Sequence, residues 1–224
     1  MNSFTRQKML IPYLGEPLLS DYQDIAGELK RSGASATIDK VNWQEYPFQP
    51  KVQIHAGYSK VYLWLLYEVK GDYFRAISTV DQQPVWQDSC VEFFVSRDID
   101  INAENQTDIV YQNFEFNSLG ICLSASGTKS NRESLRQDQL KQILRFPGIK
   151  KQKMPVERDP FDWELLVAIP LDLIGLMPGK VFRANFYKCG DLTRKPHYLS
   201  WSSILSTEPD FHLPFFFGEI ELLS

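Results

Sequence analysis

Seven segments of this sequence combine β-branched and aromatic residues in the short runs typical of β-strands, and no long helices alternate with them. The segments are KVQIHAGY, KVYLWLLYEVK, SCVEFFVS, YQNFEFNSLGICLSAS, DWELLVAIP, KVFRANFYKCG and FFFGEIELL. A chain with many strands and few helices buries the apolar face of one sheet against that of another. The sequence therefore predicts an all-β fold, a jelly-roll-like β-sandwich in which most strands are antiparallel.

The strand pattern also indicates how many domains the chain forms. It continues from about residue 51 to the C-terminus without a linker, a repeat or a change of composition. The 224 residues are 43% hydrophobic and 13% aromatic, which is enough material for one large core. We predict a single domain over residues 1–224.

Two helices are predicted outside the strands. Residues 20–33 (SDYQDIAGELKRSG) begin with residues that cap helices, place Ile25 and Leu29 on one face, and end in a glycine. A second helix is predicted from Ser130 to Arg145, in a polar and basic insertion, because this segment opens on the capping box SNRE. A solvated surface insertion explains the second segment better than a docking helix does.

Charge and hydropathy exclude several classes of partner. The chain has 24 basic and 28 acidic residues, a net charge of −4, whereas binding to nucleic acid needs a concentrated cationic surface. No segment approaches the roughly 18 apolar residues that cross a bilayer, and the N-terminus lacks the apolar core of a signal peptide. We therefore predict no nucleic-acid or membrane partner and a soluble monomer, cytoplasmic as the chain stands, with export in a native context left open.

The three cysteines, Cys90, Cys122 and Cys189, are far apart in the sequence. Their number is odd and none belongs to a CxxC pair, so the spacing favours neither a disulfide framework nor a zinc site. We predict three buried free thiols.

Three of the predicted strands carry polar side chains at alternate positions, opposite an apolar set. Successive residues of a strand point to opposite faces. The apolar set, which we predict to be buried between the sheets, is Val91, Phe93, Phe114, Phe116, Phe182 and Phe186. The other set, which forms one polar face if the strands are neighbours, is Glu92, Asn113, Glu115, Arg183, Asn185 and Tyr187. Amides, carboxylates, a guanidinium group and a phenol together favour a neutral polyhydroxylated ligand.

Two tryptophans lie in loop-like segments that flank these strands. Trp86 is in QQPVWQD and Trp201 is in PHYLSWSS. Sugars have patches of C–H that pack on flat aromatic rings, so the pair beside the polar face is typical of a saccharide site. A structural role for either tryptophan, and a simple ion pair between Glu92 and Arg183, are alternatives that the sequence leaves open.

Several stretches of the sequence, taken in order, match the segments of a known family. They are VNWQEYPFQPKV, WQDSCVEFFV, YQNFEFNSLG, WELLVAIPLDLIG, RANFYKCGD, HYLSWS and PDFHLPFFFGEIEL. In these stretches, which extend over nearly the whole chain apart from its start and the predicted second helix, the sequence resembles the family 9 carbohydrate-binding modules. The resemblance implies a β-sandwich of the kind found in bacterial polysaccharide-degrading systems.

The same resemblance implies roles for particular residues. In that family two tryptophans sandwich a terminal sugar and polar side chains bind its hydroxyls, so Trp86 and Trp201 resemble the sandwich, with Glu92 and Asn113 as hydrogen-bonding partners. Family members also carry structural calcium. The calcium candidates here are Asp98, Asp100, Asn102 and Glu104, although Ala103 stands where an EF-hand needs glycine. No other cofactor is expected.

We predict from these observations a non-catalytic module that binds a mono- or oligosaccharide. One alternative is a jelly-roll glycoside hydrolase, because Glu92 and Glu115 share a parity and neighbouring strands would place them ~5 to 10 Å apart. The chain lacks the ExDxxE motif common in such enzymes. A second alternative is a sandwich that contacts only protein. A haem-binding sandwich is less favoured, since no histidine or methionine falls on the predicted polar face.

Overall fold

Two β-sheets pack face to face, which confirms the predicted β-sandwich. The structure is a computed structural model and describes residues 6–16, 22–100, 107–149 and 157–224, with the side chains of residues 157–159 excepted. The strands, in chain order, are β1 (Lys8–Ile11), β2 (Ala34–Thr37), β3 (Lys40–Val41), β4 (Lys51–Tyr58), β5 (Tyr62–Arg75), β6 (Cys90–Ser96), β7 (Tyr111–Asn117), β8 (Cys122–Gly127), β9 (Arg132–Ser134), β10 (Leu144–Pro147), β11 (Glu157–Pro170), β12 (Val181–Cys189), β13 (Tyr198–Ser200) and β14 (Gly218–Leu222).

The first sheet contains the three strands for which the sequence predicts a polar face. Its strand order is β1-β14-β12-β6-β7-β8-β9, and β13 pairs with both β12 and β3. The second sheet has the order β10-β11-β5-β4-β2. Every strand pair in the described residues is antiparallel except that of β1 and β14. Strand β6 therefore lies directly between β7 and β12.

The inner face of these strands forms the core, as predicted. The buried set is confirmed in full and comprises Val91, Phe93, Phe114, Phe116, Phe182 and Phe186. The ring of Phe93 stacks against Phe186 on one side and Phe114 on the other, with centroid distances of 5.2 and 6.3 Å. Burial of each such ring contributes about 1.5–3 kcal/mol of transfer free energy, so this face fixes the register of the three strands.

The outer face of the same sheet is also largely covered, which the sequence did not predict. Loops from elsewhere in the chain pack a second apolar cluster against it. That cluster includes Phe94, Tyr111, Tyr187, Phe211 and Phe217. The predicted polar face is therefore not an open surface, and its polar side chains are enclosed between the sheet and the loops.

Three α-helices accompany the sheets in the part of the chain that the structure describes: α1 (Tyr22–Ser32), α2 (Gln137–Leu140) and α3 (Leu171–Ile174). The first confirms the predicted N-terminal helix. It packs Ile25 and Leu29 on the outer face of the second sheet, against Trp64 and Leu66. No helix in the described part of the chain is long and apolar enough to cross a bilayer.

The predicted second helix, from Ser130 to Arg145, is wrong in its extent. The insertion contains a helix, but α2 covers only four residues and lies between β9 and β10. The residues on either side of α2 form edge strands of the two sheets: β9 pairs with β8, and β10 pairs with β11. Tertiary pairing overrides the local capping signal.

A tight turn between β8 and β9 sets the course of this insertion. The turn closes with Thr128 N donating to Asn131 O at 3.0 Å. Gly127 has φ 144°, and a Cβ there would lie 2.1 Å from Asn131 O, so only glycine fits. The turn brings Arg132 back over the outer face of the first sheet, where it reaches Asn113.

A charged group links the two sheets inside the core. The buried Nζ of Lys188 lies 3.2 Å from Asp72 Oδ2 and 2.8 Å from His197 Nε2. The other ring nitrogen of His197 lies 2.8 Å from Lys195 O, and Trp163 Nε1 donates to Asp72 Oδ2 at 2.9 Å. Burial, followed by the charge of Lys188, lowers the pKa of His197 to about 3, so the ring is neutral. We call Asp72, Lys188 and His197 the inner network.

Candidate functional site

A cavity of about 390 Å³ opens on the outer face of the first sheet. Its floor is formed by Glu92 on β6 with Asn113 and Glu115 on β7, and its rim carries Trp86. Loop residues from several parts of the chain complete the walls. We call this space the Trp86 cavity.

The floor follows from the strand register. Glu92 and Glu115 are direct cross-strand partners, and Asn113, two residues from Glu115, points to the same face. The three side chains are buried. Asn113 Nδ2 donates to Glu115 Oε1 at 2.9 Å, and the thiol of Cys189 donates to Glu92 Oε1 at 3.0 Å. Glu115 Oε2 is buried and accepts no hydrogen bond within the described residues.

Burial changes the acidity of both carboxyl groups. Glu92 is 2% exposed and Glu115 4%. Burial raises the pKa of Glu92 well above its usual value, and the neighbouring Glu115 raises it further. Burial also raises the pKa of Glu115 to about 7, against the opposing effects of Asn113 and Arg132. The floor therefore offers a group that titrates near neutral pH at Glu115, and at Glu92 a carboxyl group that keeps its proton to a higher pH than a free glutamate does.

Arg132 supports the floor from the insertion. Its Nη2 donates to Asn113 Oδ1, and to Ala125 O at 3.0 Å. The guanidinium carbon lies 4.1 Å from the centroid of the Tyr111 ring, a cation–π distance. The arginine is thus held by protein groups and fixes which way the Asn113 amide points.

Trp86 is the accessible aromatic side of the cavity. It is 37% exposed, whereas the other four tryptophans are buried. A single turn of 3₁₀-helix, Val85–Gln87, presents the ring while Val85 is buried beneath it. The carbonyl of Trp86 accepts from Asp191 N at 3.1 Å, which anchors the turn to the segment after β12. The ring is therefore accessible from the cavity, and stacking of a ligand on Trp86 stays a prediction.

Two further predicted ligands, Tyr187 and Asn185, are enclosed and do not line the cavity. Tyr187 stacks on Phe211 with centroids 4.1 Å apart and donates its hydroxyl to Phe211 O at 3.2 Å. Asn185 donates to Ser202 O at 3.0 Å and accepts from Ser202 N at 2.9 Å. Both side chains hold loops onto the sheet, so the prediction of direct ligand contact needs correction for them.

Arg183 and Trp201 also lie away from the cavity. Arg183 pairs with Glu219 at 2.7 Å and donates to Ile99 O at 3.1 Å. The alternative ion pair with Glu92 is not formed either, since Arg183 is the cross-strand partner of Ser96. Arg183 lies four residues along β12 from Tyr187, the cross-strand partner of Glu92, and is therefore remote from the floor of the cavity.

The placement of Trp201 corrects the predicted tryptophan sandwich. Its ring is 4% exposed and belongs to the core between the sheets, 5.5 Å from the centroid of Phe186. Trp201 N donates to Phe186 O at 2.9 Å, which holds the backbone of this residue against β12. A Cβ at position 218 would lie 2.6 Å from the ring, so Gly218 provides the space that the indole fills.

Other residues that line the cavity lie outside the predicted polar face. Besides Arg132 they include Asp191, Tyr198, Asp210 and His212, all outside the three central strands. Burial raises the pKa of Asp191 to about 6 and lowers that of His212 to about 4. His212 Nδ1 lies 2.8 Å from the hydroxyl of Tyr111. Asp191, Asp210 and His212 lie in loops, and Arg132 and Tyr198 begin strands of three residues, so strand periodicity gives no signal for them.

The three cysteines are free and buried, as predicted. Within the described residues the one grouping with metal-ligand side chains is Cys90, Glu92 and Cys189, whose ligand atoms lie within 4.8 Å of one another. Burial raises the pKa of both thiols, that of Cys90 to about 12, so Cys189 acts as a hydrogen-bond donor to Glu92. The calcium candidates Asp98 and Asp100 are exposed, and the other two lie outside the described residues.

The fold and the cavity define a β-sandwich with a small polar site on the outer face of one sheet, beneath an exposed tryptophan. The model of carbohydrate-binding family 9 matches residues 27–222. The chain therefore belongs to carbohydrate-binding family 9, which confirms the resemblance seen in the sequence. A comparison with curated proteins finds no match.

Solved structures place the chain among similar folds. A provisionally assigned carbohydrate-binding protein from Bacteroides uniformis is 32% identical with a TM-score of 0.83, and the match covers 96% of this chain and 99% of that one. A family 9 module from Caldicellulosiruptor kristjanssonii in complex with glucose is 15% identical with a TM-score of 0.59, and the match covers 96% of this chain and 95% of that one. A family 9 module from the same organism in complex with cellotriose is 15% identical with a TM-score of 0.57, and the match covers 97% of this chain and 94% of that one.

Proposed function

We propose that this chain is a non-catalytic module that binds a mono- or short oligosaccharide in the Trp86 cavity. The observation that carries the proposal is the exposed ring of Trp86 at the rim of a cavity whose floor is Glu92, Asn113 and Glu115. The volume of about 390 Å³ lies within the roughly 300–1,000 Å³ of small-molecule sites. A chain end or a short oligosaccharide fits such an enclosed space better than the middle of a long polymer.

The binding mode follows from the chemistry of the lining. A sugar ring presents C–H groups on its faces and hydroxyls around its edge. The indole of Trp86 packs against a face, and the floor exchanges hydrogen bonds with the edge. Glu92 donates in its protonated form, Glu115 accepts, and Asn113, held by Arg132, does both. Hydroxyls, which donate and accept, match such a mixed floor.

The comparisons give this proposal its first probes. Family membership supports sugar binding in general. The modules from Caldicellulosiruptor kristjanssonii were solved with glucose and cellotriose. Glucose and short glucans are therefore the first ligands to titrate, followed by a glycan array that covers plant, host and bacterial sugars.

Substitution of two tryptophans tests the site directly. Trp86→Ala removes the stacking surface, and we expect it to weaken sugar binding by about 1–3 kcal/mol with little change in melting temperature. Trp201→Ala is the matched control, because the same indole is lost from the core; it should destabilise the fold by about 3–5 kcal/mol. Calorimetric titration and thermal melting of both variants separate binding from folding.

The result that contradicts the proposal is equally clear. If the wild-type protein binds nothing on the array, the proposal of saccharide binding is wrong, and the alternative of a sandwich that contacts protein is favoured. If Trp86→Ala binds sugar as tightly as wild type, the ligand lies somewhere other than the Trp86 cavity.

One observation favours a second candidate, a glycoside hydrolase. Glu92 and Glu115 face each other across neighbouring strands, and both have raised pKa values, as a catalytic acid does. Incubation with aryl glycosides of several sugars tests this: release of the phenol by wild type, abolished in Glu92→Gln, would establish catalysis. We expect no release, in keeping with a binding module.

A further inference from the structure

The Trp86 cavity is lined by more acidic side chains than basic ones. Four carboxyl groups line it, on Glu92, Glu115, Asp191 and Asp210. Asp210 is paired with Lys129 and accepts from His212 N at 2.8 Å, so it is compensated by the protein. The remaining three have no ion-pair partner among the described residues.

The one cation in the lining does not offset this imbalance. Arg132 directs its guanidinium toward Asn113 Oδ1 and backbone carbonyls, and it lies over the Tyr111 ring. Lys188, the next cation along β12 from Cys189, points to the opposite side of the sheet and pairs with Asp72. His212 is neutral, because burial lowers its pKa to about 4. No described side chain therefore forms an ion pair with Glu115, although the more distant charge of Arg132 lowers the pKa of Glu115 in part.

A second and independent observation comes from one oxygen atom. Glu115 Oε2 is buried and has no hydrogen-bond partner, although Oε1 of the same group accepts from Asn113. Buried acceptors are nearly always satisfied, and leaving one without a donor costs about 1–3 kcal/mol. The floor of the cavity thus lacks a donor at the place where the negative charge is also unbalanced. A ligand that brings both a donor and a positive charge would correct the two defects together.

We propose that the sugar recognised in the Trp86 cavity is an amino sugar with a free ammonium group, held by Glu115 and Glu92 at the floor. The inference rests on the proposed saccharide-binding function and names the class of saccharide. An ammonium group donates up to three hydrogen bonds, and such bonds to a carboxylate are about twice as strong as neutral ones. Burial is the largest cause of the raised pKa values of Glu92, Glu115 and Asp191, and the charges of Lys188 and Arg132 offset it only in part.

The sugar ring is needed as well as the amine. The ring of Trp86 at the rim offers a flat surface for the sugar C–H groups, and Asn113 offers an amide for a hydroxyl. Acetylation of the amine removes its charge and adds bulk, so an N-acetyl sugar would lose the contact with the floor. The set of glucosamine, glucose, N-acetylglucosamine and cyclohexylamine therefore separates charge from ring shape.

The test is calorimetric titration of the wild-type protein with these four ligands in buffer with EDTA, which removes divalent cations. We expect glucosamine to bind at least about tenfold more tightly than glucose, which corresponds to one charge-assisted contact. N-acetylglucosamine and cyclohexylamine should each bind more weakly than glucosamine by a similar factor.

A charge-removing variant sharpens the comparison. In Glu115→Gln, which keeps the size of the side chain, the ratio of the glucose to the glucosamine dissociation constant should fall by about tenfold. Glu28→Gln is the matched control: it removes the same charge from α1, on the outer face of the other sheet, and should leave that ratio unaltered.

Each outcome decides the question. Glucose binding as tight as glucosamine overturns the amino-sugar inference while the saccharide-binding proposal stands. Cyclohexylamine binding as tight as glucosamine overturns it too, since the cavity would then select any amine. If none of the three sugars binds, the amino-sugar inference fails, and the glycan array decides whether the proposed function fails with it.

Discussion

Two buried groups of charged side chains lie on opposite sides of β12, and they are completed in different ways. The inner network joins Asp72, Lys188 and His197, and its ammonium group meets a carboxylate at 3.2 Å. On the outer side, one residue further along the strand, Cys189 donates to Glu92 in the Trp86 cavity. The inner charges are paired within the protein, whereas Glu92 and Glu115 are buried without an ion pair among the described residues.

The inner network is expected to stabilise the fold, whereas the Trp86 cavity is the candidate binding site. A buried ion pair whose partners are both present costs little to keep, whereas an unmatched buried carboxyl group destabilises the fold once it ionises. Sites that bind ligands commonly retain such unfavourable groups. The contrast between the two regions would be wrong if removal of a charge changed the stability of the protein in the same way in both.

The largest effect is expected from breaking the inner pair. Lys188→Met leaves the carboxylate of Asp72 buried without its cation, and we expect the free energy of unfolding to fall by about 3–5 kcal/mol. Denaturant titration measures this. The double variant Lys188→Met with Asp72→Asn removes both charges and should recover much of the loss. A single variant as stable as wild type would show that the inner network is not a matched pair.

Acid should act on the inner network with an intermediate effect. The pKa of His197 falls from its ordinary 6.5 to about 3 in the folded protein, so its contribution to stability is present above pH 6.5 and is lost as the pH falls toward 3. The loss is at most about 1.4 kcal/mol for each pH unit. His197→Gln, which still offers an acceptor to Lys188, should therefore show a shallower decline of stability between pH 6 and 4. An identical slope in both proteins would assign the acid sensitivity to other groups.

The smallest effect, and one of opposite sign, is expected in the cavity. The pKa of Glu115 rises from 4.5 to about 7 on folding, so its favourable contribution is present below pH 4.5 and is lost as the pH rises through 7. Glu115→Gln should stabilise the fold by about 1 kcal/mol at pH 8 and by less at pH 5, where the wild-type group is already protonated. Melting curves at the two pH values measure the difference. Destabilisation at pH 8 would mean that the ionised carboxylate has a partner in the protein.

The sequence predicted those parts of the fold that depend on alternation along a strand. Phe93 and Phe114 are buried and Glu92 and Glu115 share a face because residues two apart in a strand point the same way. The N-terminal helix could be predicted in the same way, because the spacing of Ile25 and Leu29 indicates its buried face. Local periodicity contains enough information for such features.

The rest of the site depends on how loops fold back, which periodicity does not encode. Asn185 and Arg183 have the predicted parity, but a loop covers the first and Glu219 engages the second. Trp201 lies after the end of β13, where no alternation tells whether the ring turns inward or outward. Arg132 was assigned to a helix; the glycine in SGTKSNR was the available signal for a hairpin turn, because φ at Gly127 is positive.

The hairpin at Gly127 makes ligand preference separable from folding. It brings Arg132 to the cavity from an edge strand, while the floor is built on central strands that pair without it. A library randomised in this hairpin would change the wall at Arg132 and the hydrogen bond that holds the Asn113 amide, while the strands that carry the floor keep their pairing. The architecture is therefore evolvable at its edge: one connection can diverge and change the preferred sugar, while the sandwich that carries it stays the same.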